Sequence, residues 1–148
     1  LKNDVIILPH PLIVNELKNS KLELGDKVFI GARYDDVLKS ARVLITDYSS
    51  IAYDAFYRGV RVIFYWEEKD YCMAQYGPST KLMLNENNVY GDYFYSTDGL
   101  GEAIERNYNN PQPEEYKKRY SKIVEFHDGK NTQRLVEKLK EDGIINLS

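Results

Sequence analysis

Val43-Leu44-Ile45-Thr46-Asp47-Tyr48-Ser49-Ser50, continued by Ile51, Ala52, Ala55 and Phe56, is the stretch that decides the fold. Three consecutive apolar residues, 43–45, read as a strand. The apolar positions that follow recur at i, i+1, i+4 and i+5, one face of a helix that starts near Ser49. Gly59 fits the helix's C-terminal cap, and Val62-Ile63-Phe64-Tyr65 reads as the next buried strand. Strand, polar turn, helix and strand in that order form a unit of a parallel sheet.

The same alternation runs outward in both directions. Upstream, Val5-Ile6-Ile7-Leu8 and Val28-Phe29-Ile30 are strand-like runs, with short helices expected at 13–17 and 34–40. Downstream, 66–88 is polar, aromatic and turn-rich, and reads as a long loop with one helical turn at 67–71. Tyr93-Phe94-Tyr95 is a weaker strand. Helices are expected around Leu100, Ala103 and Ile104, then around Tyr116, Tyr120, Ile123 and Val124, then around Leu135, Val136 and Leu139. The pattern predicts an α/β fold with a doubly wound, mostly parallel, Rossmann-like sheet, and 1–148 as a single domain. A start at Leu1 that runs straight into a strand suggests a piece of a longer polypeptide.

Composition narrows the function. A net charge of −3 and a pI near 5.5 leave no basic surface for nucleic acid. One cysteine, Cys72, rules out a disulfide framework and fits a reducing cytoplasm. No apolar run approaches the roughly 20 residues that cross a bilayer. No His, Asp or Glu spacing suits a metal site. Thirteen tyrosines fit half-buried positions as well as ligand contacts.

In parallel sheets, ligands bind outside the carboxyl ends of the strands, which directs attention to His10, to Gly31, Ala32 and Arg33, and to 46–50. At Thr46-Asp47-Tyr48-Ser49-Ser50 a helix begins, where N–H groups lack intrahelical partners and partial positive charge collects. Two adjacent hydroxyls complete a cradle for phosphate. The competing reading is that Asp47 or Ser49 only caps the helix. Both are compatible if Asp47 orients the turn while the serines face an anion. Gly31, Ala32 and Arg33 follow the second strand, where a base or ribose would lodge. His10 has a histidine's near-neutral titration range, useful for donating to a phosphate or protonating a leaving group, or it simply closes a turn between Pro9 and Pro11. Asn131 and Arg134, near the start of the last helix, are within plausible reach of phosphates, and a guanidinium fork can hold two oxygens. Lys130 is the weakest of that group. His127 reads as structural, Cys72 as an ordinary thiol, and Lys117-Lys118-Arg119 as the wet face of a helix.

The residues at 46–50, with Tyr53-Asp54 and 62–65, resemble the signature of the CDP-glycerol glycerophosphotransferases that build teichoic-acid chains. Pro9-His10-Pro11 is similar to that family's histidine–proline motif, and Asp128-Gly129-Lys130-Asn131-Thr132-Gln133-Arg134 to its closing segment. Asp70-Tyr71 is similar to the family's acidic–tyrosine pair, but the rest of 66–88 departs from its pattern. The resemblance implies the C-terminal, nucleotide-donor half of a GT-B-type enzyme, with an acceptor-binding N-terminal half elsewhere in the parent protein. It implies transfer of glycerol phosphate, or a related alditol phosphate, from a CDP-alditol to a lipid-linked polyol-phosphate polymer, with release of CMP. His10 is then the catalytic candidate, and Thr46, Asp47, Tyr48, Ser49, Ser50, Asn131 and Arg134 hold the donor phosphates. No cofactor is expected, since CDP-glycerol is a substrate, and the parent protein is expected in the cytoplasm at the inner face of the membrane. A nucleotide-sugar glycosyltransferase of the same architecture, and an inactive binding domain, are the alternatives.

Overall fold

A computed structural model describes residues 5–10, 13–19, 34–77 and 83–146. The chain divides into two units, 1–41 and 42–148, each described by itself. In the first unit, the strand expected at 5–8 is reduced to an isolated bridge at Ile7. Helix α1 (Val14–Asn19) and helix α2 (Tyr34–Ser40) follow, close to their predicted places. The strand expected at 28–30 lies outside the described residues.

The second unit holds a three-stranded sheet: β1 (Val43–Thr46), β2 (Arg61–Tyr65) and β3 (Asp92–Phe94), all parallel, in the order β1-β2-β3. Helix α3 (Ile51–Tyr57) joins the first two strands, and α5 (Leu100–Asn109) follows the third. Both helices pack on β1 and β2. Val62, Ile63 and Phe64 of β2 are all buried, so both faces of the central strand are covered, as a continuous apolar run requires.

Helix α3 comes close to the sheet through Ala52 and Ala55, both fully buried, with Phe56 as its large anchor. It stops where the sequence said it would. The Gly59 N–H donates to the Phe56 carbonyl at 3.0 Å and the Val60 N–H to that of Ala55 at 3.0 Å, the paired bonds of a Schellman cap. Gly59 has φ of 86°, open to glycine without strain. Glycine is required for a different reason at Gly91, ahead of β3. A Cβ there would lie 2.1 Å from the Val62 carbonyl oxygen.

Aromatic rings fill the space beside α3. Tyr90 meets Phe56, Phe64 and Tyr120 edge-on at centroid distances of 5.0, 5.4 and 5.0 Å. Tyr120 lies on α6 (Glu114–Ser121) and its hydroxyl donates to the Tyr53 carbonyl at 2.9 Å, tying α6 to α3. A polar knot fastens the other helices to β3. Asp92 accepts from Arg106 at 2.6 Å, Asn107 at 2.7 Å and Tyr116 at 2.6 Å. Burial alone would raise this carboxyl's pKa, but the hydrogen bonds from Tyr116, Asn107 and Arg106 outweigh it and hold it below the usual range.

The segment after β2 differs from the expected loop. Helix α4 (Lys69–Tyr76) runs for eight residues. Its apolar and polar residues are not segregated and it buries none of them, so periodicity had no stripe to reveal. Helix α7 (Asn131–Glu141) closes the second unit and also ends in a Schellman cap, with Gly143 bonded to Lys140 and Ile144 to Leu139. Among the described residues no helix is long and apolar enough to cross a membrane.

Candidate functional site

Because the three strands are parallel, their carboxyl ends share one edge of the sheet, and 46–50 leaves β1 at that edge. Ser49 and Ser50 are exposed, and so is Asp47. The turn closes through main-chain bonds, Ala52 N–H to the Ser49 carbonyl at 3.2 Å and Tyr53 N–H to that of Ser50 at 3.0 Å. Capping by side chains contributes little. Ser50, at the N-cap, makes no side-chain capping bond, and Ser49 Oγ accepts from the Ile51 N–H only at 3.5 Å. Helical φ and ψ at Ser50, −62° and −16°, explain this: a capping residue normally sits in the extended region to aim its oxygen back at the helix. Ser50 therefore stands in the first turn and its hydroxyl makes no capping bond, while Ser49, one residue earlier, carries the long one; both residues are exposed.

Asp47 takes part through its backbone. Its carbonyl accepts a hydrogen bond from the Trp66 indole N–H at 3.2 Å. Tyr48 lies half-buried, its ring stacked on that of Trp66 at 6.2 Å and 8°. The Tyr48 hydroxyl is buried and has no partner among the described residues. Burial, then the negative potential of Cys72 and Asp47, pushes its pKa far upward, so it stays a neutral phenol. Tyr48 thus acts as the inner wall of the turn.

A cleft of about 460 Å³ lies beside α3, lined by Tyr53, Asp54, Tyr57, Tyr120 and, from the chain ahead of and into α7, Gly129, Asn131 and Thr132. It lies one helical turn from Ser50, to whose carbonyl the Tyr53 N–H is bonded. The Tyr53-Asp54 pair carried the resemblance but was given no role, and the cleft's wall forms only in three dimensions. The Gly129 N–H donates to the Tyr57 hydroxyl at 3.0 Å, and His127 Nε2 is 2.6 Å from the Tyr57 carbonyl. His127 is thereby a structural clasp between 124–130 and α3, with its ring edge-on to Tyr57 at 4.2 Å.

The predicted phosphate ligands from α7 fall into two groups. Asn131 lines the cleft. Arg134 is engaged nearby: its fork holds both oxygens of Asp128 at 2.9 and 2.6 Å, and it stacks over Phe126 at 3.8 Å. That bidentate pair draws the Asp128 carboxyl down to about 2. His10, in the first unit, is exposed, and its carbonyl accepts from the Ile13 N–H at 3.0 Å. Gly31, Ala32 and Arg33 lie outside the described residues. Among the described residues no group of His, Cys, Asp and Glu could hold a metal ion.

Fold and turn together define a parallel α/β domain whose open polar groups stand at the carboxyl edge of its sheet. The chain belongs to the CDP-glycerol:poly(glycerophosphate) glycerophosphotransferase family, whose model matches residues 1–141. It is also similar to the minor teichoic acid biosynthesis protein GgaB of Bacillus subtilis (strain 168), with 25% identity over 154 residues covering 93% of this chain. The chain spans 15% of that relative's length. No solved structure matches.

Proposed function

We propose that this chain binds the nucleotide donor of a glycerophosphotransferase of GT-B type, with CDP-glycerol or a related CDP-alditol as the ligand. The observation that carries the reading is the turn at 46–50. Two adjacent serines are exposed at the carboxyl edge of a parallel sheet, Ser50 with no capping bond and Ser49 with only a long one of 3.5 Å, in a chain of this family. Thr46, Asp47, Tyr48, Ser49 and Ser50 shape the diphosphate site, with the serines as donors. The neighbouring cleft, which offers aromatic rings, the Asp54 carboxylate and the Asn131 amide, takes the rest of the donor. Arg134 orders the cleft's rim through Asp128, and exchanging that carboxylate for a phosphate would bring its fork onto the ligand.

The reaction is attack by a terminal hydroxyl of a lipid-linked polyol-phosphate acceptor on the β-phosphorus. The new phosphate ester forms as the bond to the CMP oxygen breaks, and CMP departs with the electron pair. Such a step needs positioning and neutralisation of phosphate charge more than covalent help from the protein. His10 supplies a proton to a phosphoryl oxygen or to the departing CMP. The acceptor and its base belong to another part of the parent protein, which works at the inner face of the membrane.

The test is thermal melting of the chain with CDP-glycerol, CDP-ribitol, CMP and UDP-glucose, because a ligand that binds only the folded form raises its melting temperature. Stabilisation by the cytidine ligands and not by UDP-glucose is expected. Stabilisation by UDP-glucose alone would transfer the chain to nucleotide-sugar chemistry, and no response at millimolar ligand would remove the donor site.

A further inference from the structure

One residue touches all three strand ends. Trp66 follows β2 directly and is 1% exposed. Its backbone N–H donates to the Phe94 carbonyl at 2.7 Å, which fixes the end of β2 to the end of β3. Its indole N–H donates to the Asp47 carbonyl at 3.2 Å, which fixes the same point to the chain leaving β1. Its ring is covered by Tyr48 at 6.2 Å and 8° on one side of this contact set, and by Tyr93 at 5.6 Å and 26°. The Lys69 ammonium sits 4.9 Å from the ring centre, and is itself paired with Glu86.

A buried indole N–H needs an acceptor, and left without one it costs more than the bond was worth. Asp47 is past the last ladder residue of β1, so its carbonyl has no strand partner to fall back on. Trp66 thus meets the turn twice, by a hydrogen bond to one residue and a ring stack on the next. Ser49 and Ser50 follow immediately, held by no capping bond at Ser50 and only the long one of 3.5 Å at Ser49.

We propose that Trp66 is a positioning residue for ligand binding at 46–50: from β2 it fixes the Asp47–Tyr48 backbone, so that the Ser49 and Ser50 hydroxyls are presented in place before an anion arrives. This rests on the donor reading above. Ordering the turn in advance removes a cost that binding would otherwise meet. Trp66 touches no ligand, so its effect appears in affinity through the turn.

Trp66 is the chain's one tryptophan, which makes its fluorescence a reporter of the turn. CDP-glycerol titrated into the unaltered chain is expected to change the emission and to saturate at the concentration that saturates the melting shift. Trp66→Phe keeps an aromatic ring and removes the N–H. It is expected to weaken CDP-glycerol binding, read by melting shift, about tenfold. Gln112→Met is the control for a merely structural loss, since it removes a bond to the Val60 carbonyl of 2.8 Å that does not involve the turn. It is expected to lower the melting temperature without changing affinity. If Trp66→Phe gives no cooperative melt, Tyr48→Leu, which removes the stack and keeps the indole bond, is expected to weaken binding several-fold. Equal affinity of the unaltered chain and whichever variant folds would overturn the positioning role and leave the donor reading standing. No binding of CDP-glycerol or CMP to the unaltered chain would overturn both.

Discussion

The turn at 46–50 and the segment at 124–134 both carry polar motif residues, and they spend them in opposite ways. Ahead of α7, the Asp128 carboxylate is filled by Arg134 and by the Lys130 N–H at 3.1 Å, the Gly129 N–H by Tyr57, and His127 by the Tyr57 carbonyl. After β1, support comes from behind, through Trp66, and in front Ser50 makes no capping bond and Ser49 only a long one. Polar groups that satisfy one another hold a loop in shape. Groups held in place by others, with their own hydrogen-bonding capacity unspent, are the ones a ligand can use.

The sharpest way to break this contrast is to remove the open hydroxyls. The double variant Ser49→Ala, Ser50→Ala is expected to lose about a hundredfold in CDP-glycerol affinity, on the order of 3 kcal/mol for two bonds to a charged ligand. Its melting temperature without ligand is expected to stay within about 2 °C, because the one bond lost is the long contact from the Ile51 N–H to Ser49. A large drop in stability with unchanged affinity would return the serines to capping.

The satisfied segment is expected to behave in reverse. Gly129 has φ of 73°, so Gly129→Ala is expected to cost about 1 kcal/mol and roughly 3 °C in melting temperature. Affinity is expected to change less than it does in the serine variant. A smaller effect follows from titration. Arg134, then the Lys130 N–H, holds the Asp128 carboxyl at about 2, and hydrogen bonds from Lys69 and then Tyr95 hold Glu86 at about 2. Folded values below the unfolded ones mean that the unfolded chain binds more protons, so this stability is present above the ordinary carboxylate range and is lost as pH falls from about 4.5 towards 2. Asp128→Asn is expected to flatten part of that slope in acid melts, with little change at pH 7, as suits an exposed pair. An unchanged slope would show that the pair contributes nothing to stability.

Much of this was legible in the chain itself. The apolar runs at 43–45 and 62–65, with Gly59 between them, mark two strands, a helix and its cap; β2 is buried on both faces, whereas Ile45 of β1 is exposed, so for β1 the run shows the strand but not its burial. Helix α4 shows in the sequence only as a loop with one helical turn at 67–71, because it buries nothing and so has no apolar stripe. The position of Ser49 and Ser50 follows from the strand-end rule, but which of them caps the helix depends on backbone angles at Ser50 that no residue type dictates. The cleft depends on packing between Tyr57 of α3 and Gly129, 72 residues apart, a separation that periodicity does not span. The same is true of Trp66, whose indole reaches back to Asp47. A buried tryptophan's need for an acceptor is general, whereas the acceptor's identity belongs to the tertiary structure.

The most direct measurement is an amide chemical-shift titration of the chain with CDP-glycerol, following the backbone N–H signals of 49–51 against those of 128–130. The expected result is that the largest shifts fall on Ser49, Ser50 and Ile51, saturating together. Saturating shifts confined to 128–130, with 49–51 unmoved, would contradict the claim that the open hydroxyl turn is where the donor's phosphates are held.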